Sequence, residues 1–121
     1  MNTTTLVGNL TRDPQIKFTD SGNAVLTFSI AVNRRFQKNK EWQEEAHYFD
    51  VVAYGELAEN AGNSITKGSR VIVCGRLAYQ SYTDKNNEKR TKIEVVADEI
   101  GISTRFAAVL SMGKVVESMP F

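Results

Sequence analysis

Between Ala24 and Asn33 apolar and polar residues alternate without a break. Leu26, Phe28, Ile30 and Val32 fall on one side, and Thr27, Ser29, Ala31 and Asn33 on the other. A period of two is the signature of a strand with one face in the core and one in water. The run His47–Gly55 repeats the pattern. Phe49, Val51 and Ala53 form an apolar row; Tyr48, Asp50, Val52 and Tyr54 form the opposite row. Two tyrosines flanking a carboxylate are poor material for a dry interior. At roughly 3.3 Å per residue they stand about 20 Å apart on one side of the strand, which suits a platform for flat ligands. This strand is expected to lie centrally in the fold.

The other elements follow from the same reading. Thr3–Leu10 opens with β-branched residues and is predicted as a strand, stopped at Thr11-Arg12-Asp13-Pro14 because proline cannot donate to a ladder. Asp20-Ser21-Gly22-Asn23 is a turn. Arg34–Ala46 is charged and lacks a sustained period, and it reads as a long hairpin loop whose flanks extend the adjoining strands. From Gly55 to Thr66 the period lengthens: Leu57, Ala58, Ala61 and Ile65 suit a short amphipathic helix, with Gly68 as its C-cap. Arg70–Tyr82 is a long strand with Val71, Val73, Gly75 and Leu77 on one face, and Gly75 marks a bend or bulge. Thr83–Lys89 is a charged tip. Thr91–Ala97 is a strand with Ile93, Val95 and Ala97 on its apolar side. Residues 102–121 hold Phe106, Val109, Leu110, Val115 and Val116, enough for a last strand.

The predicted class is therefore all-β with one short helix. One helix between strands 3 and 4 of five is the layout of an OB-fold, a five-stranded Greek-key barrel. An SH3-like barrel is the alternative, but it does not account for a full helix at that point. Residues 1–105 form the OB-fold domain and 106–121 a C-terminal extension.

Composition narrows the function. With 121 residues, 41 % apolar and 24 % charged, the chain suits one globular domain. Cys74 is the single cysteine, so no intrachain disulfide can form, and a reducing compartment fits best. One cysteine and one histidine leave little for a Cys/His metal site. No apolar run reaches the roughly 20 residues of a membrane helix, and the N-terminus has no leader pattern, so a cytoplasmic, nucleoid-associated location is expected. No cofactor is expected.

Net charge is only +1, but its distribution is uneven. Lys67, Arg70, Arg76, Lys85, Lys89, Arg90 and Lys92 outnumber Asp84 and Glu88 by five between positions 67 and 92. Arg34, Arg35, Lys38 and Lys40 form a second cluster, followed at once by Glu41, Glu44 and Glu45. Basic patches beside aromatics suit a groove that tracks phosphates. Solvated hairpin tips carry the same charges, and charge alone does not separate the two. Glu44-Glu45 and Asp98-Glu99 would point to opposite faces of a strand, and His47 stands alone, so no catalytic group is assembled. Nor is there a nucleophile elbow or a phosphate-cradling loop.

Several segments together carry a resemblance: Leu6-Val7-Gly8-Asn9-Leu10 with Arg12-Asp13-Pro14, Ala53-Tyr54-Gly55-Glu56-Leu57-Ala58, Thr66-Lys67-Gly68-Ser69-Arg70-Val71, Gly75-Arg76-Leu77, Tyr82-Thr83-Asp84 and Ala97-Asp98-Glu99-Ile100-Gly101. In order and spacing, over about residues 5–105, the chain resembles the bacterial single-stranded DNA-binding proteins. That resemblance implies base stacking on Phe36, Tyr48, Tyr54 and Tyr82. Arg34, Arg35, Arg76, Lys85, Lys89 and Arg90 are the expected phosphate contacts, whereas Lys67 and Arg70 read as helix-end and solvated residues. Several of the stacking sites carry tryptophan in familiar members and Phe or Tyr here, which implies weaker stacking. Trp42 lies off those positions.

The resemblance further implies a homotetramer that coats single-stranded DNA in replication, recombination and repair, without catalysis and with little regard to sequence. The family's acidic tip, which docks on replication and repair proteins, is largely missing: Glu117 is the only acid near Pro120-Phe121. Two other functions compete. A primosome-like dimeric adaptor would bind DNA weakly and depend on partner enzymes. A nuclease on the same barrel would need a metal-binding carboxylate cluster beside a cleft arginine, and none is readable.

Overall fold

The computed structural model describes residues 1–109, which include seven elements. These are β1 (Thr4–Leu10), β2 (Gln15–Phe18), β3 (Ala24–Lys38), β4 (Glu41–Tyr54), α1 (Gly55–Gly62), β5 (Arg70–Thr83) and β6 (Lys89–Ile102). The strands pair in the order β1-β5-β6-β4-β3-β2, and β1 also pairs with β3. That last pairing closes β1, β5, β6, β4 and β3 into a barrel, the OB-fold expected from the element order. The helix follows the third long strand. It lies between β4 and β5 once the four-residue β2 is counted. Gln15-Ile16-Lys17-Phe18 alternates polar and apolar over four residues only, and all four are exposed, so the alternation marks no core row. This strand is held instead by the Thr19–Asn23 turn, which pairs it with the start of β3.

The core is filled by the rows that alternation selected. Leu26, Phe28 and Ile30 from β3, Val51 and Ala53 from β4, Val71 and Val73 from β5, and Val95 and Ala97 from β6 are all buried. Leu10, Ala58, Ala61 and Ile65 complete the same cluster. Two close approaches make the closure possible. At Gly8, where β1 passes from β5 to β3, a Cβ would stand 2.5 Å from the Ala31 carbonyl oxygen. At Gly75 a Cβ would collide with the Val96 carbonyl. Here the β5–β6 register shifts, leaving Asp98 without an opposite residue, which is the bulge anticipated at this glycine. The shift also moves the inward row of β6 from Ile93, Val95 and Ala97 to Ile100 and Ile102.

Four expectations are corrected. Arg34–Ala46 is not a loop: β3 and β4 stay paired in unbroken register from Val25–Tyr54 to Lys38–Glu41. Asn39 (φ 53°) and Lys40 (φ 65°) close this ribbon as a two-residue turn with both residues left-handed, the geometry that matches strand twist. It showed no hydrophobic period because it runs past the barrel with water on both faces. Second, α1 ends at Gly62 rather than near Thr66. Asn63 caps it by donating its backbone N–H and side-chain amide to the Glu59 carbonyl. Gly68 serves a later turn, donating to the Leu10 carbonyl. Third, Val52 keeps the outward register assigned to it but is only 4 % exposed, because β4 is flanked here by both β3 and β6. Fourth, Leu77 and Ile93 keep their inward register but are exposed, since the β5–β6 arm also outruns the barrel. Residues 103–109 form no strand, and the remainder of the proposed last strand lies outside the described residues.

Candidate nucleic-acid interface

Cross-strand pairing fixes which side chains share a face, because directly opposed residues in a ladder point the same way. Tyr48 lies opposite Ala31, Asp50 opposite Ser29 and Tyr54 opposite Val25. The parallel pairing of Val52 with Val96 carries this face onto β6, and Val96 pairs with Arg76 on β5. Two-residue steps from there reach Glu94 and Ala78, then Lys92 and Gln80, then Arg90 and Tyr82. Tyr48, Tyr54, Tyr82, Arg76 and Arg90 therefore occupy one continuous curved face. All three tyrosines stand out from it, at 68 %, 53 % and 50 % exposure.

Phe36 does not join them. It lies on the other side of the ribbon, half-buried, with the Arg34 guanidinium 5.2 Å from its ring centroid. Arg34 also donates to Glu45 Oε1 at 3.2 Å, and His47 Nε2 lies 2.9 Å from the same oxygen. The hydrogen bond to His47 is the main reason the Glu45 carboxyl sits below its ordinary pKa, with the Arg34 charge adding to it. Across the ribbon, Arg35 approaches Glu44 at 4.0 Å and lies over the Trp42 ring. Both ribbon arginines are thus held by carboxylates at the surface, where such pairs are weak and can be exchanged for phosphate.

The tip of the β5–β6 arm is built on Asp84. Its carboxylate accepts from the backbone N–H groups of Asn86 and Glu88 and from Arg90 Nε at 2.9 Å. The Arg90 bond is the leading cause of its lowered pKa. Lys85 and Lys89 flank this turn, and with Arg76 they form no ion pair among the described residues. Lys67 and Arg70 are placed elsewhere. The Lys67 backbone N–H binds Asp13, while Arg70 lies against Asn9 and the Phe106 ring.

Two acids lie on the tyrosine face: Asp50, placed there by alternation, and Glu94, brought there by the pairing of β6. Glu94 is 8 % exposed and is satisfied by Gln80, which donates at 2.7 Å, and by Lys92 at 3.9 Å. Asp50 lines a polar hollow of about 210 Å³ with Arg12, Gln15, Thr27, Lys92 and Glu94. Two cations therefore offset two carboxylates in the middle of the face. No group of three or more His, Cys, Asp or Glu side chains able to hold a metal occurs among the described residues. No helix among them is long and apolar enough to cross a membrane. Sequence reasoning did not assign Trp42 or Lys92 to this face. Ladder register places them there: for Trp42 it was invisible while the ribbon read as a loop, and for Lys92, on the polar side of a predicted strand, it needed the pairing of β6 with β4.

A closed five-stranded barrel with one helix is the OB-fold architecture, here with exposed rings edged by cations on its outer sheet. The chain matches the Single-strand binding protein family over residues 1–103, and it belongs to that family. It is 48 % identical over 108 residues to the single-stranded DNA-binding protein of Paenarthrobacter aurescens, covering 87 % of this chain and 63 % of the relative. It is 46 % identical over 108 residues to that of Mycobacterium leprae, covering 87 % and 64 %. To that of Borreliella burgdorferi it is 44 % identical over 101 residues, covering 83 % and 68 %. The match thus spans just under two thirds of the first two relatives.

Proposed function

We propose that this protein binds and protects single-stranded DNA during replication, recombination and repair, in the cytoplasm and on the nucleoid, as a non-catalytic homotetramer. The observation that carries this reading is the outward row of Tyr48 and Tyr54, continued on the same face by Tyr82 and Arg76. The likeness to the single-stranded DNA-binding proteins named above supports it. Every base has a π-face, so rings spaced along a groove grip a strand without reading it, at about 1–3 kcal/mol per base. In a duplex those faces are already stacked, so the same surface discriminates against it. Tyr48, Tyr54 and Tyr82 stack bases on the sheet, and Phe36 does so from the far side of the ribbon. Arg76, Lys85 and Lys89 meet phosphates directly. Arg34, Arg35 and Arg90 do so by exchanging Glu45, Glu44 and Asp84 for the DNA.

The test is titration of labelled oligo-dT and a matched duplex at several salt concentrations, with mass followed by light scattering. Tight, salt-sensitive binding of dT by a tetramer is expected. Equal affinity for duplex and dT would refute it.

A further inference from the structure

The ribbon carries an aromatic residue that no part of the proposed site uses. Trp42 is the only tryptophan in the chain, and it is 65 % exposed. Unbroken register from Tyr54 to Glu41 places it on the same face as Tyr48 and Tyr54. The three rings recur every six residues, about 20 Å apart along a strand. Arg35, one pair along from Trp42 on the neighbouring strand and also on this face, holds its guanidinium 5.3 Å from the indole centroid. A planar cation on one face of an indole limits its rotation and leaves the second face free for another flat group. The two-residue Asn39–Lys40 turn fixes the end of the ribbon just beyond it, with Lys40 in the turn itself.

We propose that Trp42 is a further base-stacking subsite, extending the tyrosine row to the ribbon tip, with Arg35 bracing the ring and neutralising the adjoining phosphate. This rests on the single-stranded DNA reading above. A purely structural role is the competing explanation: an exposed Arg–Trp pair stabilises a ribbon modestly without touching DNA. The two differ in what the indole experiences when DNA arrives.

Because Trp42 is the sole tryptophan, its emission in the unmodified protein reports on this position alone. Oligo-dT is titrated while tryptophan emission and the anisotropy of a label on the DNA are followed together. Emission is expected to be quenched in step with binding. Trp42→Leu, which keeps apolar bulk but has no π-face, is expected to weaken binding by about 5- to 150-fold, and Trp42→Phe to recover most of that loss. Binding seen by anisotropy with unchanged emission would overturn the subsite and leave the broader reading standing. So would quenching with undiminished binding by Trp42→Leu, since the ring would then lie near DNA without holding it. Absence of any dT binding by the unmodified protein would remove both.

Discussion

Replacing Tyr48 and Tyr54 by alanine, singly and together, tests the stacking surface most directly. Both rings are more than half exposed, and neither is among the residues packed against the core, so truncation should leave folding stability within about 0.5 kcal/mol. If each ring stacks one base, each loss costs about 1–3 kcal/mol of binding, or roughly 5- to 150-fold in Kd. The rings stand six residues apart on one strand, about 20 Å, beyond the range where mutational effects usually couple. The double variant should therefore lose close to the product of the single losses, about 2–6 kcal/mol in all. No charge has been removed, so the slope of log K against log salt should match that of the unmodified protein. The assay is oligo-dT anisotropy over a salt series, with urea unfolding of each variant as control. Unchanged affinity in the double variant, with folding intact, would refute the stacking argument. A steep fall in unfolding free energy would show instead that the rings serve the barrel.

The cations make the complementary prediction. Arg76→Ala and Lys85→Ala should each flatten the salt slope by about 0.7 while affecting all sequences alike, and an unaltered slope would remove that residue from the phosphate path. Gly75→Ala drives a methyl group into the Val96 carbonyl, so it should destabilise the fold by at least about 1–3 kcal/mol, read as a lower urea midpoint. A wild-type midpoint would mean that the bulge can open freely. At the β5–β6 tip the folded pKa of Asp84 is lowered, chiefly by Arg90, so its contribution is present above the ordinary carboxylate value and lost as pH falls through the lowered one. Amide resonances of Asn86 and Glu88 should shift on acidification below about pH 4, and Asp84→Asn should abolish that transition. Resonances that ignore pH in the native protein would contradict it.

The barrel rows were legible because burial on one face and water on the other impose a period of two, as in Leu26-Phe28-Ile30. The helix was legible because Leu57, Ala58 and Ala61 break that period. Where strands leave the barrel the same logic fails. In Arg34–Lys38 and Glu41–Ala46 neither face is buried, so sequence shows only charge, and what holds the strands together is the unbroken backbone ladder closed by the Asn39–Lys40 turn. Leu77 and Ile93 fail in the opposite sense: they keep the core period beyond the point where the core ends.

The amino-acid order alone determined the inward rows, the strand-helix-strand succession and the outward tyrosines on β4, because each depends on neighbours a few positions away. Only the folded ladder decided that Tyr82 and Arg76 share the face of Tyr48, that Phe36 lies behind it and that Trp42 rejoins it. Those relations depend on the register of β3 on β4, of β4 on β6 and of β6 on β5, where a one-residue shift would turn a side chain from one face to the other. No local pattern along the chain records which residue of a distant strand stands opposite.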